Sequence, residues 1–152
     1  MSFGKKIISC FLLTASLAAS TVFAGEGLRE FYINLLNQTD GPVNVRFIPH
    51  CMETVPAKQN LAAGETKPRL VFLGSLADPS CRKANSIHVA ILFFKGNDEK
   101  VKLGESAVLD RKSGNGYVLQ PSSGNDKTNP SIICSSPESG NRSCTITLKM
   151  AR

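Results

Sequence analysis

The densest group of metal-binding side chains in the sequence is His50-Cys51-Met52. Imidazole nitrogen and soft sulfur are ligands that suit copper, and His88 or Met150 would complete such a site from another strand. One hypothesis is therefore a periplasmic copper-binding protein that uses His50, Met52 and His88. The opposing interpretation is that His50 and Met52 only flank a disulfide at a strand end, since an oxidised Cys51 has no thiolate. We favour the second interpretation and predict neither a metal site nor a cofactor.

The sequence offers little for covalent or acid–base catalysis. A nucleophile needs a neighbouring base, and the chain contains only two histidines. It has no Gly-x-Ser-x-Gly segment, no phosphate-binding glycine loop and no dinucleotide fingerprint. We therefore predict no catalytic residues and a protein that is not an enzyme. A small secreted enzyme stays an alternative, and it would need Asp78, Glu105 or Asp110 brought together by the fold.

The N-terminus has the pattern of a secretory signal peptide. Lys5 and Lys6 precede an apolar segment, and Val22 and Ala24 supply the small residues of a cleavage site. We predict cleavage after Ala24, so that residues 1–24 are the signal peptide and residues 25–152 form one domain. The apolar segment is too short for a membrane span, so none is expected after cleavage. The pattern indicates a periplasmic or secreted protein without deciding between the two.

Four cysteines remain after this cleavage, and an even number in an exported chain indicates disulfides. Four cysteines allow three pairings. Cys134 and Cys144 bracket a short polar loop, which favours a bond between them and leaves Cys51 to pair with Cys81.

The charge of the chain argues against nucleic acid as a partner. Removing residues 1–24 removes two lysines and no acidic residue, so the net charge falls from +6 to +4. The basic residues are scattered as pairs, without a dense stripe interleaved with aromatic residues. We predict no binding to nucleic acid.

The fold class follows from short segments rich in β-branched and aromatic residues. Residues 86–94 read Ser-Ile-His-Val-Ala-Ile-Leu-Phe-Phe, apolar on both faces and bounded by turn residues, which predicts a buried central strand. Residues 30–37 and 43–47 alternate apolar and polar positions around Asp40-Gly41-Pro42, which predicts a hairpin. Further strands are predicted at residues 66–73, 100–103, 105–110, 117–120, 131–134 and 144–150.

The remaining segments are predicted to be connections. Residues 53–61 are polar and contain Pro56, which indicates a linker with at most a helical turn. Residues 74–85, 121–130 and 135–143 are predicted to be loops. No convincing amphipathic helix is present.

About eight short strands separated by regular turn signals predict an all-β protein, specifically an antiparallel β-sandwich of the immunoglobulin-like or Greek-key type. A small barrel is the alternative. Loops on a rigid sandwich commonly carry recognition, and a sheet edge can pair with an extended peptide. The sequence therefore favours a non-enzymatic binding module that recognises another protein, or another envelope or extracellular macromolecule, through its loops or a sheet edge. A hydrolase inhibitor is a variant of this hypothesis, and the oligomeric state is not specified.

Overall fold

The structure is a computed structural model, and it describes residues 28–96, 98–114, 116–123, 127–135 and 142–151. The predicted signal peptide lies outside the described residues. Six residues of the predicted loop 135–143 and three of the loop 121–130 also lie outside them.

The described residues form ten strands and one short helix. In chain order these are β1 (Leu28–Gln38), β2 (Val43–His50), β3 (Met52–Thr54), β4 (Gln59–Leu61), β5 (Thr66–Ser75), α1 (Pro79–Ala84), β6 (Ser86–Lys95), β7 (Lys102–Ser113), β8 (Gly116–Ser123), β9 (Ser131–Cys134) and β10 (Ser143–Lys149).

The strands form two packed five-stranded sheets. The first sheet has the order β3-β5-β1-β10-β9, and the second has the order β4-β2-β6-β7-β8. Every pair of neighbours is antiparallel except β1 and β10, the first and last strands, which are parallel. The predicted sandwich is therefore confirmed, and the two sheets do not close into a barrel.

The core lies between the two sheets and is built from alternate residues of each strand, as a period of two requires. Its largest fully buried side chains come from both sheets. They are Phe31, Phe72, Phe93, Ile33, Leu35, Leu61, Ile87, Ile91, Ile146, Leu148, Val43 and Val45. The predicted central strand is confirmed as β6, which lies in the middle of the second sheet. Its outer face is less buried than its inner face, because His88, Ala90 and Leu92 are only partly covered.

The predicted hairpin between the first two strands is wrong. β1 pairs with β5 and β10, whereas β2 pairs with β4 and β6, so the chain crosses from one sheet to the other at residues 39–42. The buried Asn37 holds this crossing, because its amide nitrogen donates to the carbonyl oxygens of Gly41 (2.9 Å), Leu61 (3.2 Å) and Ala62 (3.0 Å). A turn signal shows that the chain bends, but it does not select the strand's partner.

Two predicted connections contain strands or a helix of their own, and β8 extends through the first three residues of the predicted loop 121–130. The segment predicted as a linker overlaps β3, at the edge of the first sheet, and includes β4, at the edge of the second. The segment predicted as a loop includes α1, which starts at Pro79 with Asp78 as its N-cap and has Asn85, in the left-handed conformation, as its C-cap. Six residues are too few to show an amphipathic pattern, but the cap and the proline are ordinary start signals.

Both predicted disulfides are present. Cys51–Cys81 ties the corner between β2 and β3 to α1, and Cys134–Cys144 joins directly opposite residues of β9 and β10. Two disulfides indicate an oxidising environment outside the cytosol. In the described residues, no helix is both long and apolar enough to cross a membrane.

Candidate functional site

The two histidines predicted as metal ligands lie directly opposite each other. His50 ends β2 and His88 lies near the start of β6, and the register pairs them across the second sheet. Their ring centroids are 4.6 Å apart and the ring planes differ by 24°. Side chains alternate between the two faces of a strand. Phe47 of β2 and Val89 of β6 face the core. His50 and His88 lie an odd number of positions from them on the same strands, so both histidines are on the outer face of the sheet. The tertiary structure thus joins residues 38 positions apart in the sequence.

The sulfur ligands of the copper hypothesis do not join them. Met52 lies in β3, in the other sheet, where it is half-buried against the hydrophobic core. Cys51 is bonded to Cys81, and Met150 lies beside residues at the far end of β6. Within the described part of the chain, no group of three or more His, Cys, Asp and Glu side chains is arranged to hold a metal ion.

The electrostatic surroundings of the pair depress the basicity of one imidazole. Burial lowers the pKa of His88, and the neighbouring His50 lowers it further because two cationic rings would repel.

The carboxylates named in the enzyme hypothesis lie in three separate places. Asp78 caps α1, where its side chain accepts from the Ser80 amide at 2.7 Å. Glu105 is exposed and pairs with Lys102 at 2.6 Å. Asp110 is fully buried between the sheets and forms an ion pair with Arg142. The fold does not bring the three together.

Asp110 is the most unusual ionisable group among the described residues. Burial raises the pKa of its carboxyl, with Arg142 and Arg29 acting in the opposite direction. The Arg29 guanidinium in turn lies 3.8 Å from the ring centroid of Tyr117, whose hydroxyl donates to the Asn85 side chain at 2.8 Å. The cluster connects strands of both sheets, which indicates that it stabilises the packing of one sheet on the other.

This burial predicts how stability depends on pH. The folded pKa of Asp110 lies above its ordinary value of 3.8. Its contribution is therefore complete below that value and is lost as the pH rises through the folded pKa. Asp110→Asn removes this loss, so the free energy of unfolding of the variant, relative to the wild type, should rise as the pH increases above 3.8 and through the folded pKa. Urea unfolding across this range measures the difference.

Glu105→Gln, on the exposed face of the same strand, is the control for this prediction. Its ion pair with Lys102 lies in solvent and contributes little. A relative stability of Asp110→Asn that is flat with pH, or that falls as the pH rises, would contradict the assignment.

The outer face of the first sheet carries the group of exposed residues that sequence analysis missed. We name this surface the Tyr32 face. Three of the five large apolar side chains most exposed in the described residues point from it. They are Leu28 (39 % exposed), Val71 (43 %) and Ile133 (73 %). Tyr32 and Asn34 of β1 lie between them.

Arg69 is held over this face by an unusual backbone. It has a φ of +55°, a conformation that few residues other than glycine adopt, and it follows Pro68 where the β1–β5 register shifts. Its amide donates to the Asn34 side chain at 2.8 Å, and its guanidinium lies 4.9 Å from the centroid of the Tyr32 ring. No carboxylate among the described residues pairs with Arg69. The strained backbone at Arg69 therefore holds a positively charged side chain toward solvent.

The face includes a shallow depression of about 480 Å³ lined by Tyr32, Asn34, Pro68, Arg69 and Ser143. A second depression, of about 380 Å³, lies at the end of the sandwich near Pro42 and Met150. The described residues that line these two depressions include no histidine and a single carboxylate, Asp40.

Alternation placed Tyr32 and Asn34 on one face of their strand. The Pro68-Arg69 pair was the available signal for a break in β5. The position of Arg69 over Tyr32 depends on the pairing of β1 with β5, which the sequence did not predict.

No protein-family model matches the chain, and no curated protein matches it either.

Proposed function

We propose that this is an exported, non-enzymatic binding module that recognises a protein partner through the Tyr32 face. The observation that carries the proposal is the combination, on one sheet face, of exposed apolar residues with Tyr32 and with Arg69, which forms no ion pair with a described carboxylate. Tyrosine and arginine are enriched at the centres of protein interfaces and supply much of the binding energy there.

The sheet edges support recognition by this face rather than by strand pairing. β3 and β4 are three residues each and β9 is four residues long, so these edges offer little backbone. The longer edge strand β8 contains Pro121, and the uncovered part of β5 contains Pro68. Proline removes an amide donor, and short or proline-containing edges resist the addition of another strand.

The charge on the face specifies the partner's chemistry. The Arg69 guanidinium is exposed and makes no ion pair with a described residue, and Val71 of the same strand is apolar, while the Glu30 carboxylate on this face accepts from the Tyr32 hydroxyl. The complementary surface is therefore a protein surface with a carboxylate surrounded by apolar side chains. Arginine and carboxylate form charge-assisted hydrogen bonds that also fix orientation.

Site-specific photo-cross-linking tests this proposal. A photoreactive amino acid at Ile133, on the Tyr32 face, should give one discrete adduct in cells that export the protein. The same probe at Ser122, on the outer face of the second sheet, is the matched control and should not. Arg69→Ala and Tyr32→Ala should each weaken the binding of the purified partner about 30-fold, equivalent to about 2 kcal/mol.

Arg111→Ala controls for the loss of a positive charge, because Arg111 is exposed on the outer face of the second sheet. It should change the affinity by less than about threefold. Equal adducts from Ile133 and Ser122, or equal effects of Arg69→Ala and Arg111→Ala, would contradict recognition by the Tyr32 face.

A further inference from the structure

The His50–His88 pair has a geometry that the binding proposal does not use. The two imidazoles occupy directly opposite positions of adjacent antiparallel strands, with ring centroids 4.6 Å apart. Opposite positions in such a pair hold the side chains on one face of the sheet, within reach of a common ligand.

The separation of the rings is close to what one bound ion requires. Imidazole nitrogens bind zinc at about 2.0–2.1 Å, so two nitrogens in tetrahedral positions lie roughly 3.3 Å apart. Rings with centroids 4.6 Å apart reach that distance by small rotations about the side-chain bonds.

The frame that carries the pair is rigid. β6 lies between β2 and β7, so the strand that carries His88 is hydrogen-bonded to a neighbour on each side. His50 precedes Cys51, whose sulfur is bonded to Cys81 and whose carbonyl oxygen accepts from the Ser75 amide at 2.9 Å. A frame fixed before binding reduces the entropy lost when both ligands engage.

The ring nitrogens are available to a ligand. Neither imidazole makes a hydrogen bond or an ion pair with another described residue, and the side chain of His50 is exposed to water. On the same face Leu109 lies opposite His88, the apolar pair Ile48 and Ala90 lies one pair further along, and the polar pair Ser86 and Arg111 lies one pair away in the other direction. No described side chain therefore competes for the imidazoles.

We propose that His50 and His88 form a two-histidine site for a divalent late first-row transition ion such as Zn²⁺ or Cu²⁺, with water in the remaining positions. Imidazole suits these ions, and the open outer face admits the water ligands. The site differs from the copper site considered from the sequence because it does not include Met52. It does not depend on the Tyr32 face, which lies on the other sheet.

Zinc titration of the untagged, disulfide-bonded protein by isothermal calorimetry tests the proposal. The wild type should bind one Zn²⁺ per chain. His50→Gln and His88→Gln should each raise the dissociation constant about 100-fold, because each variant leaves a single ligand. Met52→Leu should leave it unchanged. Electron paramagnetic resonance of the Cu²⁺-loaded wild type should show nitrogen couplings that both histidine variants reduce.

If His88→Gln disturbs folding, the His50→Gln variant alone tests the proposal. His50 is exposed, and circular dichroism can verify that this variant retains its fold. A wild type that binds no Zn²⁺ at millimolar concentration would overturn the site. An affinity that His50→Gln leaves unchanged, or that Met52→Leu lowers as strongly, would also overturn it.

Discussion

Replacing Phe72 with alanine should lower the free energy of unfolding by about 3–5 kcal/mol. Phe72 is fully buried in the first sheet and stacks on Phe31 of the neighbouring strand, with ring centroids 5.3 Å apart. It also meets Phe47 of the second sheet edge-on at 5.2 Å. The truncation therefore loses apolar burial and aromatic contacts on both sides of the core, and it leaves a cavity that the sheets cannot fill.

Urea unfolding followed by circular dichroism measures this loss. Val71→Ala is the matched control, because Val71 is the adjacent residue of the same strand but points outward and is 43 % exposed. Its replacement should change stability by no more than about 0.5 kcal/mol. A loss below about 1 kcal/mol for Phe72→Ala would contradict the position of Phe72 at the junction of the sheets.

Removing the Cys51–Cys81 disulfide with the double substitution Cys51→Ala and Cys81→Ala should cost about 3.6 kcal/mol. The bond closes a loop with a sequence separation of 30, and its loss increases the entropy of the unfolded chain. It also releases the corner between β2 and β3 from α1. The two sheets approach each other closely in this region. A Cβ added at Gly74 of β5 would lie only 2.6 Å from the Ile87 side chain of β6.

The Cys134–Cys144 bond supplies the matched comparison. Its sequence separation is 10, for which the same entropy estimate gives about 2.7 kcal/mol. Each pair contains one buried cysteine, Cys81 or Cys144, and one partly buried cysteine. Non-reducing urea unfolding of both variants gives the comparison. A larger loss for the Cys134–Cys144 variant would contradict the assignment of the first bond as the stronger constraint.

Recognition through the Tyr32 face and metal binding by the histidine pair involve different residues on different sheets. The face lies on the first sheet, and the pair lies on the outer face of the second. Variants of Arg69 therefore leave the histidines in place, and variants of His50 leave Arg69 in place. The two proposals can fail independently.

The errors in the sequence analysis have a common physical cause. The alternating segments that became β1, β2 and β10, and the short apolar run that became β6, were predicted to be strands because these patterns are local properties of the chain. The partner of each strand is not local. The turn at Asp40-Gly41 marked a bend, yet the buried Asn37 and its carbonyl acceptors direct the chain to the other sheet.

Short elements were missed for a related reason. β3 and β4 have three residues each, too few to show a period, and they exist because β5 and β2 offer them backbone partners. The helix α1 has local start signals at Asp78 and Pro79, but it is too short to show an apolar stripe. Its position is set by the disulfide through Cys81.

The sequence by itself determined the β character, the apolar inner faces and, from the cysteine count and spacing, the two disulfides. Only the tertiary structure decided that His50 faces His88, that Arg69 lies over Tyr32 and that Asp110 meets Arg142. Local alternation and turn chemistry act over a few residues, whereas each of these contacts joins residues more than 30 positions apart. Strand order and register place such residues together, and both are fixed by packing the whole core at once.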